Sequence, residues 1–242
     1  MRTPLPLRPA FLQRGARILP VLALMLAIPP APRAQSQDSP LISIRLEQKQ
    51  GDIVRIVPQN TVFRSGEILR FRLTSHMAGY LYVVDRGTSG EIDTLFPAPG
   101  AAPEANRIEP GQDNVVPAMG DGWFQVAGPS GFDILYFLLS ANPIILPGSA
   151  ASAEPQNTEP PPPELLPRCD DSIFRARGDC VDPSAGVAPL KPGAPIPREL
   201  VPLARTASRD IILTDDGGST AVRAAAKAKL PLIYTFRLAH RE

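Results

Sequence analysis

Along residues 41–140 apolar and polar positions repeatedly alternate with period two, the spacing of half-buried strands. Ile42, Ile44 and Leu46 alternate with Ser43, Arg45 and Glu47. Leu69, Phe71 and Leu73 alternate with Arg70, Arg72 and Thr74, which predicts a strand with an apolar core face and a basic solvent face. Residues 79–85 (GYLYVVD) are nearly continuous in apolar and aromatic side chains and belong centrally in a sheet. Tyr80 and Tyr82 share one face of that strand, Leu81 and Val83 the other. Further short strands are expected at residues 92–96, 115–116, 123–126 and 132–139, separated by turn formers such as Arg64-Ser65-Gly66 and Gly120-Asp121-Gly122. Gly66 suits a turn that needs positive φ, and Gly79 a strand start where a side chain would collide. Short strands at this spacing predict an all-β fold, an antiparallel β-sandwich of immunoglobulin-like or similar Greek-key type.

Other segments depart from this pattern. Residues 147–202 hold 13 of the chain's 30 prolines, including Pro160 to Pro163, and few aromatics. Such a stretch offers little apolar area to offset ordering, so it reads as a mostly irregular insertion or linker between a sandwich core at 37–146 and the C-terminal residues 203–242. There, residues 210–213 and 230–238 return to strand chemistry and are expected to complete the sandwich. Between them, residues 219–229 (STAVRAAAKAK) contain strong helix formers without an apolar stripe, so any helix there is short and marginal. At the other end, Arg2, Arg8, Arg14 and Arg17 precede an 11-residue apolar run, residues 18–28, followed by small residues up to Ser36. The run is too short for a hydrocarbon core that needs about 20 helical residues, so residues 1–36 read as a signal peptide cleaved near Ser36. The mature chain is then periplasmic or secreted, with no membrane span. In an oxidising compartment Cys169 and Cys180 are expected to pair, closing a loop worth about 3 kcal/mol in the chain-entropy model.

Charge changes the picture once that leader is removed. The chain has 25 Lys+Arg and 24 Asp+Glu, and five of the arginines lie in residues 1–36, leaving 20 basic against 24 acidic residues, a net charge of −4. That balance argues against a nucleic-acid binder and against a polybasic membrane anchor. His76 and His240 are the only histidines, and neither has partners at metal-ligand spacing. There is no Gly-x-Ser-x-Gly elbow, no phosphate-cradling loop and no dinucleotide fingerprint, so no catalytic residues, metal or cofactor are expected. Asp170, Asp171, Asp179 and Asp182 around the cysteines read as a solvated acidic turn, because calcium loops alternate their ligands in a regular frame and these do not. A Ser/His/Asp site assembled from distant residues, with His76 as base, is the enzymatic alternative.

The residues themselves are also similar to a known family. Phe63-Arg64-Ser65-Gly66-Glu67, Leu69-Arg70-Phe71-Arg72-Leu73, Gly79-Tyr80-Leu81-Tyr82-Val83-Val84 and Leu95-Phe96-Pro97, in this order and spacing, resemble the bacterial domain-of-unknown-function 4384 family. Pro110-Gly111, Trp123-Phe124 and Leu238-Ala239-His240-Arg241 extend the resemblance, while Gly131-Phe132-Asp133 stands where relatives usually carry Gly-x-Glu. The resemblance implies a small β-rich domain with an interaction or sensing role, and it brings no catalytic residues. The functional expectation is therefore a non-catalytic exported module that binds another envelope or periplasmic protein through a strand edge or an aromatic face, with Tyr80 and Tyr82 as the candidate surface. A hydrolase with a dispersed site and a structural spacer built on the Pro-rich segment are the alternatives.

Overall fold

The computed structural model describes residues 40–102, 104–146, 166–169, 180–215, 218–225 and 229–242. The predicted signal peptide, residues 147–165 of the Pro-rich stretch and residues 170–179 between the cysteines lie outside the described residues. In chain order the strands are β1 Ile42–Gln50, β2 Ile53–Val57, β3 Val62–Arg64, β4 Ile68–Ser75, β5 Gly79–Arg86, β6 Ile92–Phe96 and β7 Arg107–Ile108. They continue as β8 Asp113–Val116, β9 Phe124–Gln125, β10 Gly131–Ser140, β11 Gly186–Pro189, β12 Ile211–Asp215, β13 Thr220–Ala224 and β14 Leu232–Arg241. A 3-10 turn at Arg198–Leu200 runs into one short helix, α1 Val201–Ala204.

Two sheets stack as a sandwich. Sheet 1 has the order β12-β13-β1-β4-β8, with β2 also on β1 and β9 on β4; sheet 2 has the order β11-β14-β10-β5-β6, with β3 on β14 and β7 on β5. Among the described strands, β3–β14 is the one parallel pairing, accompanied by a parallel bridge between Ser208 and Leu232. The C-terminal strands enter both sheets: β13 pairs with β1, and β14 lies between β11 and β10. Between the sheets lies the main core, where Ile42, Ile44, Leu46, Leu69, Phe71 and Leu73 of sheet 1 meet Leu81, Val83, Leu135, Phe137, Tyr234 and Phe236 of sheet 2. Phe71 stands edge-on to Phe236, ring centroids 4.8 Å apart, an arrangement the ring quadrupoles favour. Gly66 has φ +90°, and a Cβ on Gly79 would lie 2.5 Å from the Ser140 carbonyl oxygen, so a turn and a close backbone approach require these two glycines.

A second core covers the outer face of sheet 2. Tyr82, Val84, Ile134, Tyr136, Leu138 and Ile233 are buried there beneath Leu146, Leu190, Leu200 and Ala204. This explains why β10 is apolar along nearly its whole length: both of its faces are buried.

Two stretches join the sandwich in ways that their local composition does not announce. Within the Pro-rich stretch, residues 180–202 pack on sheet 2: β11 pairs with β14, the Tyr136 hydroxyl donates to the Pro195 carbonyl at 2.8 Å, and Leu200 is completely buried. Apolar residues spaced between the prolines give this segment a face to bury, and proline costs little where no ladder N–H is needed. The Ala-rich run at 219–229 forms no helix in its described part; residues 220–224 pair with both β1 and β12, because strand pairing and the burial of Val222 outweigh local propensity.

Candidate interaction surface

The outer face of sheet 1 is built by the alternation read from the sequence. Ser43, Arg45, Glu47 and Lys49 of β1 face outward, and in register beside them β4 presents Thr74, Arg72 and Arg70. Glu47 is 6% exposed and accepts hydrogen bonds from Arg70 Nε at 2.6 Å and Arg72 Nε at 2.7 Å. Burial raises its pKa, but the hydrogen bonds and charges of Arg72 and Arg70 outweigh that and hold the carboxyl below its usual range. Arg72 also lies 3.6 Å from Asp113 on β8, and its own pKa is raised, chiefly by the Glu47 hydrogen bond. Arg70 is stacked over Trp123, 4.1 Å from the ring centroid, with Lys49 at 5.6 Å from the same ring.

Apolar side chains flank this charged row. On β2, Val54 and Ile56 stand opposite Lys49 and Glu47 and so share their face, 45% and 52% exposed; on β12, Ile212 stands opposite Arg223 and is 51% exposed. β13 and β2 follow one another along the same edge of β1, the first opposite Ile42–Ile44 and the second opposite Leu46–Gln50, with Arg45 at the break between them. A cleft of ≈ 960 Å³ opens at that break, lined by Arg45, Ile56, Gln59, Val187 and Leu213 among others. No described strand pairs with the free edge of β12.

The other predicted residues fall elsewhere. Tyr80 and Tyr82 do share one face of β5, but it is the face under the second core. Tyr82 is 5% exposed and its hydroxyl accepts the Ile144 N–H at 2.6 Å, so it offers no docking surface. Tyr80 is half-buried and donates to Glu104 at 2.6 Å, a bond that raises its phenol pKa. The shared face follows from the alternation along the strand, and its cover comes from residues distant in the chain. Cys169 and Cys180 form a disulfide, and Asp182 beside it is held by the Ser184 hydroxyl and N–H and by the Arg168 N–H.

Both histidines have polar neighbours. His76 Nε2 lies 2.8 Å from Ser43 Oγ; His240, fully buried, has Nε2 3.1 Å from Asp133, which also accepts the Thr88 N–H at 2.9 Å. Among the described residues His240 Nδ1 has no partner, and no Ser, His and Asp are hydrogen-bonded into a triad. Close to Asp133, the Asp85 carboxyl is driven well above its usual pKa by burial and then by the charges of Asp133, Glu91 and Asp93. The described residues contain no group of three or more His, Cys, Asp or Glu placed to hold a metal ion, and no helix long and apolar enough to cross a membrane.

Residues 62–143 match the family model described as Domain of unknown function (DUF4384). Over this segment the chain is similar to the DUF4384 family. No curated protein and no solved structure matches the chain. The DUF4384 segment runs from β3 to just past β10 and so supplies Arg70, Arg72 and Trp123, whereas Glu47, Lys49, Ile56 and Ile212 come from strands outside it. The outward face of sheet 1 is thus a joint product of the DUF4384 segment and the flanking strands that pair with it. A two-residue Gly51-Asp52 turn followed by the β-branched run Ile53-Val54-Arg55-Ile56-Val57 is the signal that could have found β2 in the sequence.

Proposed function

We propose that the protein is an exported, non-catalytic interaction module of the bacterial cell envelope that docks a partner protein on the outer face of sheet 1 and its edge strands β2 and β12. The observation that carries this reading is the exposure of Val54, Ile56 and Ile212 on one sheet face, beside Trp123 and two arginines held in place by Glu47. Arg and Trp anchors ringed by apolar contacts are the residue types that dominate binding energy at protein interfaces. The charged and apolar leader pattern in residues 1–36 supports export to the periplasm or the medium.

The test is crosslinking of the tagged protein in the cells that make it, comparing wild type with the double variant Ile56→Asp, Ile212→Asp. Both positions are exposed, so the unfolding midpoint should stay put while the crosslinked partner is lost. Undiminished recovery of the partner contradicts the reading.

A second reading, a hydrolase with a dispersed site, is favoured by the contact between Ser43 and His76. The acid that would orient the base is not in place, since no described carboxylate hydrogen-bonds the His76 ring. It predicts labelling by a fluorophosphonate serine probe that disappears in His76→Ala; absence of labelling removes it. A spacer built on the Pro-rich segment is disfavoured by the packing of residues 180–202 on sheet 2.

A further inference from the structure

The cations of the outer face of sheet 1 point to the chemistry of its occupant. Arg45, Lys49, Arg70 and Arg72 stand there against two carboxylates, Glu47 and Asp113, in a chain whose residues after the leader are net acidic. Arg70 engages Glu47 through Nε, and its two Nη groups make no other hydrogen bond among the described residues; Lys49 makes no ion pair among them. The Arg70 and Arg72 side chains are only 18% and 25% exposed and are fixed by the buried carboxylate between them. A guanidinium held in one orientation with its fork free is suited to a carboxylate arriving in a defined geometry. Outward side chains on a strand recur every second residue, about 6.6–6.8 Å apart, so a segment laid extended across this face meets the cations with its own alternate side chains.

Resting on the reading of this face as a docking surface, we infer that its occupant is an extended segment of a partner protein with acidic residues at alternate positions. Their carboxylates pair with Arg70, Lys49 and Arg45, so that the segment's facing side chains meet the guanidinium stacked over Trp123. A fluid anionic membrane is the poorer fit: polybasic membrane contacts rely on clustered mobile Lys and Arg, whereas these guanidinium groups are immobilised and partly buried.

Trp123 is the chain's single tryptophan, so its emission reports on this face alone. The experiment titrates the full chain with an alternating Glu-Thr peptide, with an alternating Lys-Thr peptide, and with vesicles containing anionic lipid, following Trp123 emission and the anisotropy of labelled peptide. The acidic peptide should bind saturably and shift the Trp123 emission, and the basic peptide should do neither. Lys49→Glu, with an unchanged unfolding midpoint, should weaken acidic-peptide binding roughly tenfold, and high salt should weaken it further. No binding of the acidic peptide at about 1 mM, binding indifferent to Lys49→Glu, or a silent Trp123 would overturn the inference. Vesicle binding that depends on Lys49 while the acidic peptide fails would overturn it in favour of a lipid surface. The Ile56→Asp, Ile212→Asp variant separates the two failures: if it still loses the crosslinked partner, the docking face stands and only its acidic occupant falls.

Discussion

Leu200→Ala asks whether residues 180–204 are a built part of the domain or a tether. Leu200 is completely buried in the outer core with Tyr136, Leu138 and Ile233, so truncation removes its transfer free energy and leaves a cavity. Buried Leu→Ala changes cost about 2–5 kcal/mol, and the segment has little freedom to close the gap. It is tied at its start by the Val62 N–H to the Cys180 carbonyl (2.7 Å), along β11 by β14, and past α1 by the Ile233 N–H to the Ser208 carbonyl (2.8 Å). A loss of about 2–4 kcal/mol is therefore expected in urea unfolding, with a fall in Tm of roughly 2–4 °C for each kcal/mol in a domain of this size. Leu138→Ala, which truncates the same cluster from β10, should behave alike, while Leu166→Ala, 65% exposed, should change stability by less than about 0.5 kcal/mol. If Leu200→Ala is as silent as Leu166→Ala, residues 180–204 are not packed on sheet 2 and the second core is wrong.

Four other outcomes follow from buried polar groups. Tyr234 is fully buried, its hydroxyl has no partner among the described residues and burial pushes its pKa up; Tyr234→Phe should be neutral or stabilising by about 1 kcal/mol in urea unfolding, whereas Tyr82→Phe, which orphans the Ile144 N–H, should destabilise by about 1–2 kcal/mol. Glu47 has a lowered folded pKa, so its contribution is present above its unfolded pKa of 4.5 and lost as pH falls through the folded value; Glu47→Gln should remove that acid-side slope and cost about 2 kcal/mol at neutral pH. Asp85 has the opposite sign: its raised folded pKa makes stability fall as pH rises above 3.8 towards the folded value, and Asp85→Asn should flatten that limb in a pH series of unfolding curves.

Local alternation made most of the sandwich legible. Ile42 to Leu46 and Leu69 to Leu73 announced β1 and β4, including the basic outward face, because a strand with one buried face has no other way to place its side chains. The pairing of Glu47 with Arg70 and Arg72 was not legible, since it depends on the register between strands about twenty residues apart. Trp123 reads as a strand residue, and nothing in its neighbourhood says that Arg70 lies over its ring. Two stretches were less legible, for different reasons. Residues 220–224 carry helix-forming alanines whose preference is overridden by pairing with β1, and residues 180–204 look unpacked by proline content although Leu190, Ile196 and Leu200 reach sheet 2.

The most direct test of sheet 1's outer face as the docking surface is site-specific photo-crosslinking, with the crosslinker placed in turn at Ile56, Ile212, Ile92 and Met119 in the producing cells. Ile92 lies on sheet 2 and Met119 in a turn, and both are exposed enough to serve as controls. One dominant adduct from Ile56 and Ile212, absent from Ile92 and Met119, is the expected result. Adducts from Ile92 or Met119 with none from Ile56 and Ile212 would contradict it and move the interface to another surface.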